Sequence, residues 1–309
     1  MKLQVKLFGL VAALGILAAC SGAPNLSNNV PGVPSDSPTS FSQSQASANK
    51  SALVGAINQI AVGLTGDFGP SSASPTEAAA ALVEKEYPTV AKDLRRVQLT
   101  GGSLRIQGTA NCEQGGTVTF PDDGDIVDND GDGIPVYAEI RYNNCKEDGV
   151  TANGLLLGMQ DKNDSNPAGG FTFLIDLSLT DGTDTARLAL GIDYTPGAGG
   201  AYNVRYGYLI QENDDKLAFG VNMSYTPKSD GNSDPYDAGF VNFTGRFVYK
   251  LDGENYVLDM KGENLEHSSS CTSTFVSGKA TFQDNAGNKL VIQYTGCNSY
   301  TVTYNGNPI

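Results

Sequence analysis

Phe171-Thr172-Phe173-Leu174-Ile175-Asp176-Leu177-Ser178-Leu179 decides the fold. Phe171, Phe173, Ile175, Leu177 and Leu179 recur at every second position, the period of a strand with one apolar face. The same alternation returns outward from it. Leu188, Leu190, Ile192 and Tyr194 follow, then Val204, Tyr206, Tyr208 and Ile210, and then Leu217, Phe219, Val221, Met223 and Tyr225. Val241, Phe243, Phe247 and Tyr249 continue it, as do Tyr256, Leu258 and Met260. Turn residues separate the runs: Asp181-Gly182, Pro196-Gly197, Asp214-Asp215, Asp230-Gly231 and Asp252-Gly253. Short links between successive strands favour antiparallel pairing of neighbours. The expected fold is mostly β, an antiparallel meander over 98–309 forming a sandwich or a barrel. A lipid-facing barrel is the runner-up, since strands of this length suit one.

Composition agrees. The chain has 309 residues, with 37 Gly, 14 Pro, no Trp and 17% charged residues. That is too turn-rich for a helical bundle and too apolar for a disordered chain. A net charge of −14 argues against nucleic acid as a partner. The single histidine, His267, argues against histidine-based triads and multi-histidine metal sites.

Upstream of the strands the period changes. Leu53, Ile57, Ile60 and Leu64 share one face of a helix. A second helix starts at Ser74, with Pro75 at its first position and Glu77 completing a capping box. Leu82, Val90, Leu94 and Val97 are its apolar residues, and Pro88 should kink it. These define a helical segment over 51–97, expected to cover the sheet. Residues 20–50 are rich in Ser, Asn and Pro, and a flexible tether is expected there.

The first residues carry an address. Lys2 and Lys6 precede an apolar run from Leu7 to Ala19, too short to span a bilayer but suited to a signal peptide over 1–19. It ends in Leu17-Ala18-Ala19-Cys20, which resembles the lipobox of bacterial lipoproteins. That resemblance implies cleavage before Cys20, lipid on Cys20, and membrane attachment through it in the cell envelope. Ser21, where this family's inner-membrane members carry Asp, implies the outer membrane.

Two later segments echo each other. Cys112, Gly116-Thr117-Val118-Thr119-Phe120, Ile140-Arg141-Tyr142-Asn143-Asn144-Cys145 and Asn153-Gly154 form the first. Cys271, Gly278-Lys279-Ala280-Thr281-Phe282, Ile292-Gln293-Tyr294-Thr295-Gly296-Cys297 and Asn305-Gly306 form the second. Four cysteines in an oxidising compartment allow three pairings. The repeat selects Cys112–Cys145 and Cys271–Cys297, each closing the open end of one hairpin. From Phe to Cys is 25 residues in the first copy and 15 in the second, so the first hairpin carries a longer tip.

That tip contains Asp128-Asn129-Asp130-Gly131-Asp132-Gly133-Ile134-Pro135-Val136-Tyr137-Ala138-Glu139. The spacing matches a twelve-residue calcium loop. Asp128, Asp130 and Asp132 stand at positions 1, 3 and 5, and Ile134 offers a carbonyl at position 7. Glu139 at position 12 is placed to close the site with two oxygens. Ca2+ suits such a set because it is a hard cation taking six to eight oxygens. The loop resembles those of EF-hands, and its Asp-Gly-Asp-Gly-Ile-Pro core is similar to thrombospondin type 3 repeats. Val136 replaces the usual oxygen ligand at position 9, and strand residues, not a helix, follow. A helix-opening switch is therefore not expected. Asp230, Asp234 and Asp237 show no such pattern and read as solvated turns.

No catalytic pattern emerges, and no enzyme is expected. The functional expectation is a calcium-binding lipoprotein of the cell envelope, structural or interacting with an envelope protein, a surface protein or a glycan. The alternative is a lipid-anchored carrier for a small apolar ligand inside a closed β-barrel.

Overall fold

A computed structural model describes residues 25–65, 108–120, 127–131, 134, 136–147, 149–166, 169–228, 235, 237–251, 253–271 and 273–309. Within α1 the side chains of residues 59–65 are excepted. The signal peptide, Cys20, the expected second helix, and Asp132, Asp230 and Asp234 lie outside the described residues.

Among the described residues one α-helix, α1 (Gln43–Thr65), precedes the strands, after a short 3-10 turn at Leu26–Asn29. The first strands are β1 (Gly108–Asn111), β2 (Thr117–Phe120), β3 (Ala138–Glu147), β4 (Val150–Asp161) and β5 (Phe171–Thr180). Next come β6 (Thr185–Pro196), β7 (Tyr202–Glu212), β8 (Asp215–Pro227), β9 (Ala238–Leu251) and β10 (Glu254–Ser268). The last are β11 (Ser277–Gln283), β12 (Lys289–Gly296), β13 (Ser299–Tyr304) and the two-residue β14 (Asn307–Pro308).

The strands lie in one sheet in sequence order, each antiparallel to the next, so the meander read from the alternation is the fold. The barrel is not. Among the described residues β1 and β14 are the two edges of an open sheet. The outer face also carries a polar row in register, Ser178, Arg187, Gln211, Lys216 and Lys250 across β5 to β9. A lipid-facing barrel needs an apolar band there, so the runner-up is corrected on both counts.

The apolar face carries the core. Val118, Ile140, Tyr142, Leu157, Phe173, Ile175, Leu177 and Leu188 form one cluster over β2 to β6. A second spans β7 to β13, where Phe41, Ala46, Leu53, Val54 and Ile57 pack on Phe219, Phe243, Phe247, Leu258 and Phe282. Tyr206, Tyr208 and Ile210 of β7 touch both clusters. Burial alone pushes the Tyr208 phenol up, and burial with the neighbouring Tyr208 does the same to Tyr206. Among the described residues the open sheet is not the closed barrel that the carrier alternative assumed. No described helix is long and apolar enough to cross a membrane.

The expectation of a free tether over 20–50 gives way in its described part. Residues 25–41 run as a strap across the outer face of the sheet. Gly158, Leu174, Gly191, Gly207, Gly220, Arg246 and Asp259 form one row in register across β4 to β10. The strap lies on this row. A Cβ on Gly207 would sit 2.3 Å from the Pro31 carbonyl oxygen, and one on Gly220 2.2 Å from that of Gly32. Leu26 packs with Leu155 and Leu174 at one end. Towards the other, Asp36 accepts from Lys216 at 2.7 Å and Lys250 at 2.9 Å. Arg246 donates to the Pro34 and Asp36 carbonyls at 3.1 and 2.7 Å. Thr39 N–H then donates to the Val257 carbonyl at 3.0 Å.

The helix accordingly starts before residue 51. Ser42 Oγ accepts from Gln45 N–H at 3.3 Å, while Gln45 Oε1 accepts from Ser42 N–H at 3.0 Å. This is a reciprocal capping box. Leu53 and Ile57 face the core as the spacing predicts. Lys50 reaches the Ile309 carbonyl at 2.6 Å, and Tyr294 donates to Asn58 at 2.6 Å, tying the helix to the end of the sheet.

Candidate metal centre

Both predicted disulfides form. Cys112 and Cys145 have Cα atoms 5.4 Å apart, and Cys271 and Cys297 5.6 Å. Cys112 lies between β1 and β2 and Cys145 on β3, so the bond closes the open end of the β2–β3 hairpin. Cys271 follows β10 and Cys297 follows β12, closing the β11–β12 hairpin alike. Two bulges elsewhere in the sheet are alike, though Asn264 of β10 lies ahead of the second copy and is not the counterpart of Asn144. Asn144 and Asn264 both hold positive φ, 50° and 49°. Their N–H groups donate to Asn153 and Asn242 on a neighbouring strand at 2.7 and 2.9 Å. Beyond the second cysteine the likeness between the copies fails. Asn153-Gly154 lies inside β4, whereas Asn305-Gly306 makes the turn between β13 and β14.

The acidic loop joins β2 to β3 at one end of the sheet. Gly131 takes φ of +73°, a conformation that favours glycine, and its N–H donates to Asp128 Oδ1 at 2.6 Å. That turn gathers Asp128 and Asp130. A third carboxylate joins them from another loop. Asp164, between β4 and β5, has an oxygen within 4.8 Å of one from each of Asp128 and Asp130. Asn129 holds it there: its N–H donates to Asp164 Oδ1 at 2.8 Å, and its side-chain amide donates to Oδ2.

Asp161 ends β4 beside this group and is 5% exposed. Its Oδ1 accepts from Asn163 N–H at 3.0 Å, while its Oδ2 is buried with no hydrogen-bond partner. Burial first, with the negative charges of Asp130 and Asp164 added, holds its carboxyl above the usual carboxylate range. Three half-buried carboxylates and one buried one thus bring charge of one sign together, an arrangement that favours a multivalent cation.

Glu139 departs from its expected place. Its Oε1 accepts from Arg141 Nε at 2.9 Å and its Oε2 from Arg141 Nη2 at 3.2 Å, and the Tyr137 hydroxyl donates to Oε2. Burial would raise this carboxyl, but the bonds from Arg141 and Tyr137 outweigh it and hold it below the ordinary range. The same burial, together with Glu139, pushes the Tyr137 phenol up. Both oxygens that the twelve-residue pattern assigns to the cation are engaged by a guanidinium and a phenol. Ile134 is half-buried within the described part of the loop.

Spacing along the loop misses Asp164 and Asp161, which lie in another connection. Two signals together point to them. In a meander the β2–β3 and β4–β5 connections sit at the same end of the sheet, and the second reads Asp161-Lys162-Asn163-Asp164. A further grouping, Cys112, Cys145 and Glu147, carries no metal argument because its two sulfurs form a disulfide.

Comparison with known proteins finds no matching family model, curated protein or solved structure. The site therefore stands on its own chemistry.

Proposed function

We propose that this chain is a calcium-binding lipoprotein of the bacterial cell envelope, anchored through Cys20, with a structural or interaction role. One observation carries the reading: Asp128 and Asp130, in a loop spaced for calcium, meet a third carboxylate within 4.8 Å. A hard dication relieves their repulsion and is satisfied by oxygens. The anchor rests on the lipobox resemblance at Leu17-Ala18-Ala19-Cys20, and the outer membrane on Ser21. The sheet is open among the described residues, whereas the carrier alternative assumed a closed barrel. The part of the outer face that the strap does not cover is the surface offered to an envelope protein, a surface protein or a glycan.

Affinity should be modest, about 10⁻⁵–10⁻³ M, in the range from weaker sensors to extracellular modules, because Val136 supplies no side-chain oxygen. The test is thermal unfolding of the full chain in chelator and then in calcium. A hundredfold excess over the dissociation constant should add about 2.7 kcal/mol by mass action. An unchanged melting temperature at millimolar calcium contradicts the calcium reading. The anchor is tested separately: Cys20→Ala should move the chain out of the membrane fraction, and retention after a high-salt wash contradicts it.

A further inference from the structure

We infer that the cation is held between two loops, with Asp164 of the β4–β5 connection joining Asp128 and Asp130, the buried charge of Asp161 standing beside them, and Glu139 left out. This rests on the calcium reading above and changes which residues serve it.

The geometry argues against a loop that closes on itself. A bidentate ligand at the twelfth position needs both carboxylate oxygens, yet Glu139 gives both to Arg141 and Tyr137. Recruiting it would break a two-point guanidinium pair and strand the arginine's charge. Asp164 meets the opposite conditions. It already lies within 4.8 Å of Asp128 and Asp130, and its partner, Asn129, is neutral and belongs to the loop itself. Its approach therefore joins the two loops before any cation arrives.

Asp161 is the independent sign of a ligand. A carboxylate 5% exposed with one oxygen lacking any hydrogen-bond partner is costly unless something positive meets it. The neighbouring cation is already engaged elsewhere: Lys162 pairs with Asp193 and donates to Thr195 at 2.7 Å. A divalent ion beside Asp130 and Asp164 supplies the missing charge.

A bridging ion has a consequence that a self-contained loop lacks. It ties the tip of the β2–β3 hairpin to the end of β4. Gln160, next to Asp161, accepts from the Leu26 N–H of the strap at 2.9 Å. The ion thus sits one residue from the point where the strap first meets the sheet.

Calcium titration of the full chain by calorimetry, across four variants, tests this. Asp161→Asn should weaken binding by removing a negative charge beside the ion, and Asp164→Asn should weaken it about tenfold or more, because affinity follows the number of charged ligands. Asp128→Asn should do the same, while Glu139→Gln should change it by less than about threefold on the same argument. A large loss in Glu139→Gln with none in Asp161→Asn and Asp164→Asn overturns the bridging site and leaves a self-closed calcium loop standing. Absence of any binding by the wild type overturns the calcium reading itself. Melting in chelator checks the fold. Asp161→Asn should melt above the wild type there, because it removes a buried charge. A melting temperature below the wild type would assign Asp161 to the fold and overturn its part in the site.

Discussion

The two disulfide-clamped hairpins share a plan and differ at their tips. The β11–β12 tip, residues 284–288, is organised by one carboxylate. Asp284, 4% exposed, accepts from the N–H groups of Ala286 and Asn288 and from the Asn288 side chain, each at 2.8 Å. It also accepts from Phe41 N–H at 2.9 Å, where the strap ends. Burial would raise this carboxyl, but those bonds outweigh it and hold it below its ordinary range. Beside the β2–β3 tip, at the end of β4, burial and like charge hold Asp161 above that range. One buried carboxylate met by many donors is a finished turn. Carboxylates brought together from two loops, beside a buried one whose second oxygen accepts no hydrogen bond, make a different kind of turn, and that contrast supports the reading that a cation completes it.

The clamps give the largest effect. Cys112→Ser with Cys145→Ser, or Cys271→Ser with Cys297→Ser, should each cost about 3–4 kcal/mol in urea unfolding. The bonded residues are 33 and 26 apart, and loop-closure entropy separates such loops by only about 0.2 kcal/mol. Near-equal losses in chelator would show two equivalent clamps on different tips. A clearly larger loss at the first would mean that its clamp also restrains a strained tip.

Asp284→Ala comes next, at about 3 kcal/mol, since charge-assisted hydrogen bonds contribute more than neutral ones and the Phe41 N–H is left stranded. Calcium should not alter that loss. A loss that disappears in calcium would erase the distinction between the tips.

The smallest effect lies in the strap, which runs from Gln160 beside the first tip to Asp284 at the second. Burial would raise the Asp36 carboxyl, but hydrogen bonds and charge from Lys216 and Lys250 hold it at about 2. Asp36 therefore stabilises the fold above the unfolded-state value of about 3.9, and that contribution is lost as pH falls through about 2. The side chain is 14% exposed, and the shift corresponds to about 2 kcal/mol. Asp36→Asn should flatten the acid limb of the stability–pH curve by that amount. An unchanged limb would mean that the strap is held by its backbone contacts alone.

Alternation made the strands legible because each buries one face, and the repeat made the disulfides legible because cysteines must meet in pairs. The strap was not legible. Residues 25–41 have no apolar period, and what seats them is a row of glycines and cations contributed by five later strands. The start of α1 was readable from Ser42 and Gln45, whose spacing is that of a capping box. The expected boundary at 51 followed the apolar residues instead. The candidate metal centre was half legible. Asp128 and Asp130 declare themselves by spacing, whereas Asp161 and Asp164 require the meander to be known first. Glu139 fits the spacing, but Arg141, two residues along on the same strand face, takes its charge.

Amide hydrogen exchange of the intact chain, in chelator and in millimolar calcium, compares the tips directly. The account predicts slower exchange with calcium at residues 127–131 and 162–166 together, and no change at 284–288. Unchanged exchange at the first tip, or equal slowing at both, would contradict the claim that one hairpin needs a cation where its counterpart does not.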